Sequence, residues 1–373
     1  MHFIIEKLLK YYPFLIGSAT FFVMAFYFYI SNSRSGLKTV RGLIGYTLPF
    51  DKWISRSSRM DIIINVIEKF TGAVNFALSA ALTTLVVAWI GSKFHYPAFD
   101  HLHNSILIMV LVSVFIFIVV DFADYLTHFL QHFVPVLWEL HKTHHSATYL
   151  TPFTARRVHP LGELFEEVVM GIFIIVPLSI CQVMFHFTIT ELFVMLGVAN
   201  SVSAILMFDS LRHSHLPVSF GPLQAVLTSP HMHQLHHSSK ITHWDKNFGH
   251  KLSVWDWWFG TMLVPRKGEE FTWGLGRAEE EEYHNLFGAL VGPLVKIAKL
   301  VGGKPMSDYK GGLVAQDPNF FRRVLWRSPS DIYAKQRMLS LEASATADHD
   351  GAAFPDVIEP SGRNTQGRVL HAS

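Results

Sequence analysis

Five stretches of this chain are apolar over the length that a lipid bilayer demands, and a chain that must cross lipid has few folds open to it. Backbone N–H and C=O groups in hydrocarbon need partners inside their own segment, so each crossing is expected to be a helix of about 20 residues. The windows fall at 13–30 (PFLIGSATFFVMAFYFYI), 72–91, 105–123, 168–187 and 189–208. With 50% hydrophobic and 16% charged residues among 373, the chain is too apolar for two soluble domains. The expected fold is an all-α integral membrane protein with four to five transmembrane helices. Lys7 and Lys10 precede the first window, which lacks a small-residue cleavage site, so it reads as an anchor rather than a removable signal.

Cationic residues set the expected orientation. Residues 31–60 carry Arg34, Lys38, Arg41, Lys52, Arg56 and Arg59, whereas 92–104 carry only Lys93, which puts the first connection in the cytoplasm and the second outside. Alternation then places 124–167 and everything beyond about 209 on the cytoplasmic side. Four regions follow: N-terminal transmembrane helices at 1–123, a histidine-rich region with two further spans at 124–265, an interfacial segment at 266–339, and a disordered tail at 340–373. In the third region, 286–301 is apolar but broken by Pro293. The single cysteine, Cys181, excludes an internal disulfide, and a net charge of +2 with no basic-aromatic pattern gives no sign of nucleic acid binding.

Of 22 histidines, 15 lie between His128 and His250. HFLQH puts His128 and His132 four apart at the end of the third window, and HKTHH puts His141, His144 and His145 on one helix face behind Pro135. HQLHH repeats that spacing at His233, His236 and His237, behind Ser229 and Pro230 as helix start signals. Chance clustering would set these imidazoles on stripes otherwise made of Phe129, Phe133, Val136 and Leu140, with no gain for folding. Imidazole suits Fe, Zn, Cu and Ni, and eight ligands are about twice what one ion takes, so two metals are implied. Asp124, one turn before His128, could accept its ring N–H or be an ordinary polar helix end. Glu163, Glu166 and Glu167 suit a helix N-terminus, and Trp255, Trp257 and Trp258 an interfacial aromatic belt.

HFLQH, WELHKTHHSATYLTPFTARRVHP and the block from RHSH at 212–215 to WDWWFGTM resemble the fatty acid hydroxylase and sterol desaturase superfamily, membrane non-haem di-iron oxygenases. The resemblance covers about 120–263, and its second half looks most like the branch containing alkylglycerol monooxygenase and bacterial sterol desaturase-like proteins. It implies a cytoplasmic-side helical cap with a di-iron site, held by the eight histidines above together with His213. It places His159 and Asn247 beside the ligands, as Asp124 would be, and no catalytic side chain beyond the ligands themselves; His215 and His231 are additions of this sequence where relatives commonly carry other residues, and are further candidates for those surroundings. His213 is preferred over His215 on the family match, and His233 over His231 because only His233 shares a helix face with His236 and His237.

The activity so implied is O2-dependent hydroxylation or desaturation of a lipid C–H bond, the lipid being a fatty acyl chain, a sterol or an ether lipid. The chain holds no G-x-G-x-x-G, P-loop or C-x-x-C-H, so electrons are expected from a separate donor. Two rivals are a zinc-dependent membrane hydrolase and a metal-transporting or metal-sensing protein. The first lacks H-E-x-x-H; the second would set its ligands mid-span, whereas every cluster here lies at or beyond a span end.

Overall fold

The computed structural model describes residues 2–32, 39–206, 208–266, 268–275 and 278–301; the 340–373 tail lies outside the described residues. Contacts divide the chain into units 1–325 and 326–373, and everything described belongs to the first. It is helical: α1 (His2–Asn32), α2 (Val40–Thr47), α3 (Phe50–Trp53), α4 (Arg56–Lys93), α5 (Ile106–Phe133), α6 (Pro135–His145), α7 (Pro160–Phe185), α8 (Ile189–Leu206), α9 (Pro230–His236), α10 (Val254–Phe259), α11 (Leu286–Leu290) and α12 (Gly292–Val301). Two isolated bridge pairs, Leu227 with Leu252 and Ser238 with Trp273, are the extent of β pairing among the described residues.

Local chemistry accounts for the starts. Ser55 accepts a hydrogen bond from the Ser58 N–H to open α4, Ser105 does so for α5 from Ile108, and Ser229 for α9 from Met232. Pro135, Pro160 and Pro230 open α6, α7 and α9, where a missing N–H is harmless.

Among the described residues α4, α5 and α7 are long and apolar enough to cross a membrane, while Ile16–Ser31 and Ile189–Ile205 are shorter apolar helices. Leu85, Ile106 and Ile172 point outward, at 68%, 78% and 60% exposure, as lipid-facing residues would. The inner faces meet in a core of Val87, Val112, Ile116, Ile174 and Leu178. The expected second window, 72–91, is only part of α4. That helix begins at Arg56 because its polar first turns are not in lipid: Ser57, Ser58 and Asp61 are buried against the polar end of the molecule. α5 runs unbroken across 123–124, carrying the chain from the apolar core to the first histidines.

Pro293 lies in the first turn of α12, just past the break between it and α11. α12 packs against α6, and Thr143 Oγ1 donates to the Ala289 carbonyl at 3.0 Å. The 286–301 segment therefore closes over the histidine end.

Candidate metal centre

Nine histidines from four places in the chain meet at one end of the helix bundle. They form two groups, within each of which one nitrogen per ring lies within 4.8 Å of all the others. The first holds His128, His132, His141, His145 and His236; the second holds His144, His213, His233 and His237. Imidazole–metal bonds of about 2.0–2.1 Å set ligand nitrogens roughly 3–4 Å apart, so both groups have the size of a coordination sphere. Rings of the two groups touch, with His145 and His237 stacked at 4.5 Å between centroids.

The outward nitrogens are fixed by the backbone. His128 Nδ1–H donates to the Phe248 carbonyl at 3.0 Å, and His236 Nδ1–H to that of Lys246 at 2.6 Å. That tautomer leaves Nε2 of each ring unprotonated and turned inward. His132 Nδ1 stands 3.5 Å from Asp245 Oδ1. Nε2 of His128, His141 and His236 and Nδ1 of His144 and His237 are buried with no hydrogen-bond partner among the described residues. Elsewhere nitrogen faces nitrogen: Nε2 of His213 is 3.2 Å from His144 Nε2 and 2.9 Å from His233 Nε2, and His132 and His145 stand 3.1 Å apart. Neutral imidazoles carry one N–H each and cannot satisfy so many inward lone pairs, whereas metal ions would. The residues present fit two ions.

Electrostatics agree. Burial, with the neighbouring rings adding to it, holds His141, His145, His213, His233 and His237 well below the ordinary imidazole range; it brings His144 to about 3 and His236 to about 4. Neutral rings at physiological pH are what ligation requires. Phe248 packs on His128, His132 and His236, and Trp138 on His132 and His145, which keeps water from that side.

The expected neighbours of the ligands stand elsewhere. Asp124 does not reach His128: its carboxylate lies 3.4 Å from His250 Nδ1, while Phe248 takes the His128 N–H. The His159 ring caps α7 by accepting the Leu161 N–H, and its Nε2–H donates to the Leu290 carbonyl. His215 stacks on Tyr149 and meets Phe21 and Tyr46, and His231 stacks on Phe271; neither joins a group. Asn247 acts through backbone, donating to the Met232 and Leu263 carbonyls and accepting from the Leu263 N–H, which ties α9 to the segment around Leu263. Trp257 and Trp258 are exposed, but Trp255 Nε1–H donates to Asp121.

Several residues at the site carried no sequence signal that spacing could detect. Arg212 Nη2–H donates to His233 Nδ1 at 3.0 Å. Asp121 accepts from the N–H groups of Lys251 and Leu252, and Asp256 from those of Phe248 and Gly249 and from the Thr261 hydroxyl. Together they fold the 247–252 loop whose Phe248 carbonyl orients His128. Glu166, expected only as a helix-start carboxylate, accepts from Gln131 Nε2 at 2.9 Å on the chamber wall.

Fold and site together define an all-helical membrane protein with a buried, two-group histidine centre. Residues 113–261, which include all nine histidines, match the fatty acid hydroxylase family, the resemblance carried by the histidine motifs. Relatives include the ornithine lipid hydroxylase OlsE of Rhizobium tropici, 27% identical over 148 residues (40% of this chain and 40% of the relative). Alkylglycerol monooxygenases also match, from Caenorhabditis elegans at 28% over 195 residues (50% and 34%) and from Homo sapiens at 28% over 160 residues (43% and 32%). The matches span only about a third to two fifths of the length of these relatives and are consistent with the alkylglycerol monooxygenase-like branch. No solved structure matches the chain.

Proposed function

We propose that this protein is a membrane-bound, O2-dependent di-iron oxygenase that hydroxylates or desaturates a C–H bond of a lipid. The observation that carries it is the two groups of buried imidazoles beside a cleft, their inward nitrogens either without a partner, as in His128, His141 and His236, or facing one another, as in His144, His213, His233 and His237. His128, His132, His141, His145 and His236 would hold one ion, and His144, His213, His233 and His237 the other. Iron there would supply reductive activation of dioxygen, which side chains alone cannot provide.

The chain's own residues do the rest. The Phe248 and Lys246 carbonyls hold the ring protons of His128 and His236 on Nδ1. Phe248 and Trp138 exclude water, and Glu166 with Gln131 offers a carboxylate on the chamber wall for holding or moving a proton. The family match and the hydroxylase and monooxygenase relatives support a lipid substrate, and the Lys and Arg count supports a cytoplasmic position for the centre. Electrons would come from a separate donor.

The test is anaerobic purification, iron loading, and measurement of O2 uptake with a reductant and membrane lipid. Expected is O2 consumption matched by new hydroxyl or alkene products. Full activity with zinc alone, or hydrolytic products, would overturn the proposal.

A further inference from the structure

A second gathering of metal-ligating side chains lies far from the nine rings. Where α4 ends, α5 begins and α7 turns into α8, His95, Asp100 and His186 come together, one ligand atom of each within 4.8 Å of the others. α5, 28 residues long, runs from this end to the histidine centre, so the two places stand roughly 40 Å apart at 1.5 Å per residue. α5 and α7 are long and apolar enough to cross a membrane, and the trio sits at the far end of both.

The backbone fixes the three before any ion arrives. His95 follows the extended residue that ends α4, and the next N–H, of Tyr96, donates to the Val183 carbonyl in the last turn of α7 at 3.0 Å. Pro97 then opens a short 3-10 turn, Pro97–Leu102, that carries Asp100. His103 closes the arrangement: its Nδ1–H donates to the Phe185 carbonyl at 3.1 Å, with Glu191 3.3 Å from its other ring nitrogen. The connection between α4 and α5 is thereby tied to the turn that holds His186, and little ordering is left for a ligand to supply.

Two features go unexplained by a plain loop contact. His95 Nε2–H donates to Asp100 Oδ2 at 2.9 Å, yet Asp100 Oδ1 is buried with no hydrogen-bond partner among the described residues, a deficit that a cation beside the carboxylate would remove. His186 ends α7 in the left-handed conformation, at φ 59° and ψ 26°, where glycine is the usual residue and a side chain costs about 1–2 kcal/mol. Glycine would close the helix at less cost, so what His186 adds is its ring, set 4.6 Å from that of His95 between centroids. Two imidazoles and one carboxylate suit zinc, whereas calcium and magnesium take oxygen ligands.

We propose that His95, Asp100 and His186 bind one zinc ion, which clips the connection between α4 and α5 to the turn between α7 and α8. The ion takes the place of the proton between His95 and Asp100, and water fills the fourth place, left open because the rings of His95 and His186 lie at the exposed surface. Its role is to hold together the ends of three core helices on the face away from the histidine centre. The site stands whatever metal that centre holds and whatever reaction it performs.

The experiment is equilibrium dialysis of the full-length protein in detergent against Zn2+, with bound metal counted by elemental analysis. His186→Gly should fold, since glycine suits the left-handed position, and should bind one zinc per chain fewer than the wild type. The count is read as that difference, so metal in the nine-histidine centre cancels. Asp100→Asn should weaken the same zinc at least tenfold, while His101→Ala, on the same 3-10 turn but outside the trio, should keep it. Zinc should also raise the unfolding temperature of the wild type further than that of His186→Gly. An equal zinc count in wild type and His186→Gly, or displacement of this zinc by equimolar calcium, would overturn the site; equal rises in unfolding temperature would overturn the clip.

Discussion

At the residue scale, the doublets His213/His215 and His231/His233 separate cleanly in space. His213 and His233 lie in the second group, while His215 and His231 pack on aromatic rings outside it. His213→Ala or His233→Ala should therefore lose about one bound metal per chain and the activity with it. His215→Ala and His231→Ala should keep metal, fold and most turnover; metal analysis of the four variants decides it. The histidines also set a pH dependence. Rings whose folded-state pKa is depressed, His144 to about 3 and His236 to about 4, bind fewer protons folded than unfolded below pH 6.5. The metal-free protein should thus lose stability as pH falls from 7 to 5, each such ring contributing up to about 1.4 kcal/mol per pH unit. Carboxylates kept protonated by burial, Asp256 at about 6 among them, work the other way, but the nine rings of the centre outnumber them. Unfolding in detergent at pH 7, 6 and 5 measures the slope, and a flat or inverted profile would contradict the burial of neutral rings. Helical spacing, which is local, sets His233 with His236 and His237, whereas His213 entered only through the family resemblance; Arg212 escaped both because its partner lies 21 positions away.

At the element scale, α6 must be held at both ends for its three histidines to face inward. Arg157, wholly buried, does this at the C-terminal end: it donates to the Thr143 carbonyl at 2.9 Å, to Ser146 Oγ at 2.8 Å and to the Tyr283 carbonyl at 3.2 Å, and pairs with Asp61 of α4 at 2.9 Å. Removing one partner of a buried ion pair leaves the other unpaired, a loss of about 3–5 kcal/mol. Arg157→Ala should destabilise by that amount and release metal, while Asp61→Leu with Arg157→Met together should recover much of the stability. Equal loss in the single and double variants, in denaturant titrations, would show that the pair is not what holds α6. The helix starts at Pro135 and Pro230 were readable from single residues. The long polar beginning of α4 was not, because apolar windows report lipid contact and Asp61 is buried by a partner 96 residues on.

At the scale of the whole molecule, the nine rings should bind about two irons per chain. Loading them should raise the unfolding temperature, because a ligand that binds only the folded state stabilises it, by about 2.7 kcal/mol at a hundredfold excess over Kd. Chelation should reverse the gain. A reproducible stoichiometry near one, measured by elemental analysis, would contradict a two-ion centre. What the sequence by itself determined is the apolar helices, the starts of α6 and α9, and the histidine faces, since each follows from contacts within a turn or two of helix. Only the tertiary structure decided how the rings are shared. In α6, His141 and His145 enter one group and His144 the other; in α9, His233 and His237 stay together and His236 crosses over. Residues four apart differ by about 40° around a helix, whereas residues three apart fall about 60° to the other side, so each motif is split in the same way. Which group each side joins depends on how α5, α6, α9 and the 212–213 turn pack together, and no spacing along the chain encodes contacts between segments that distant in sequence.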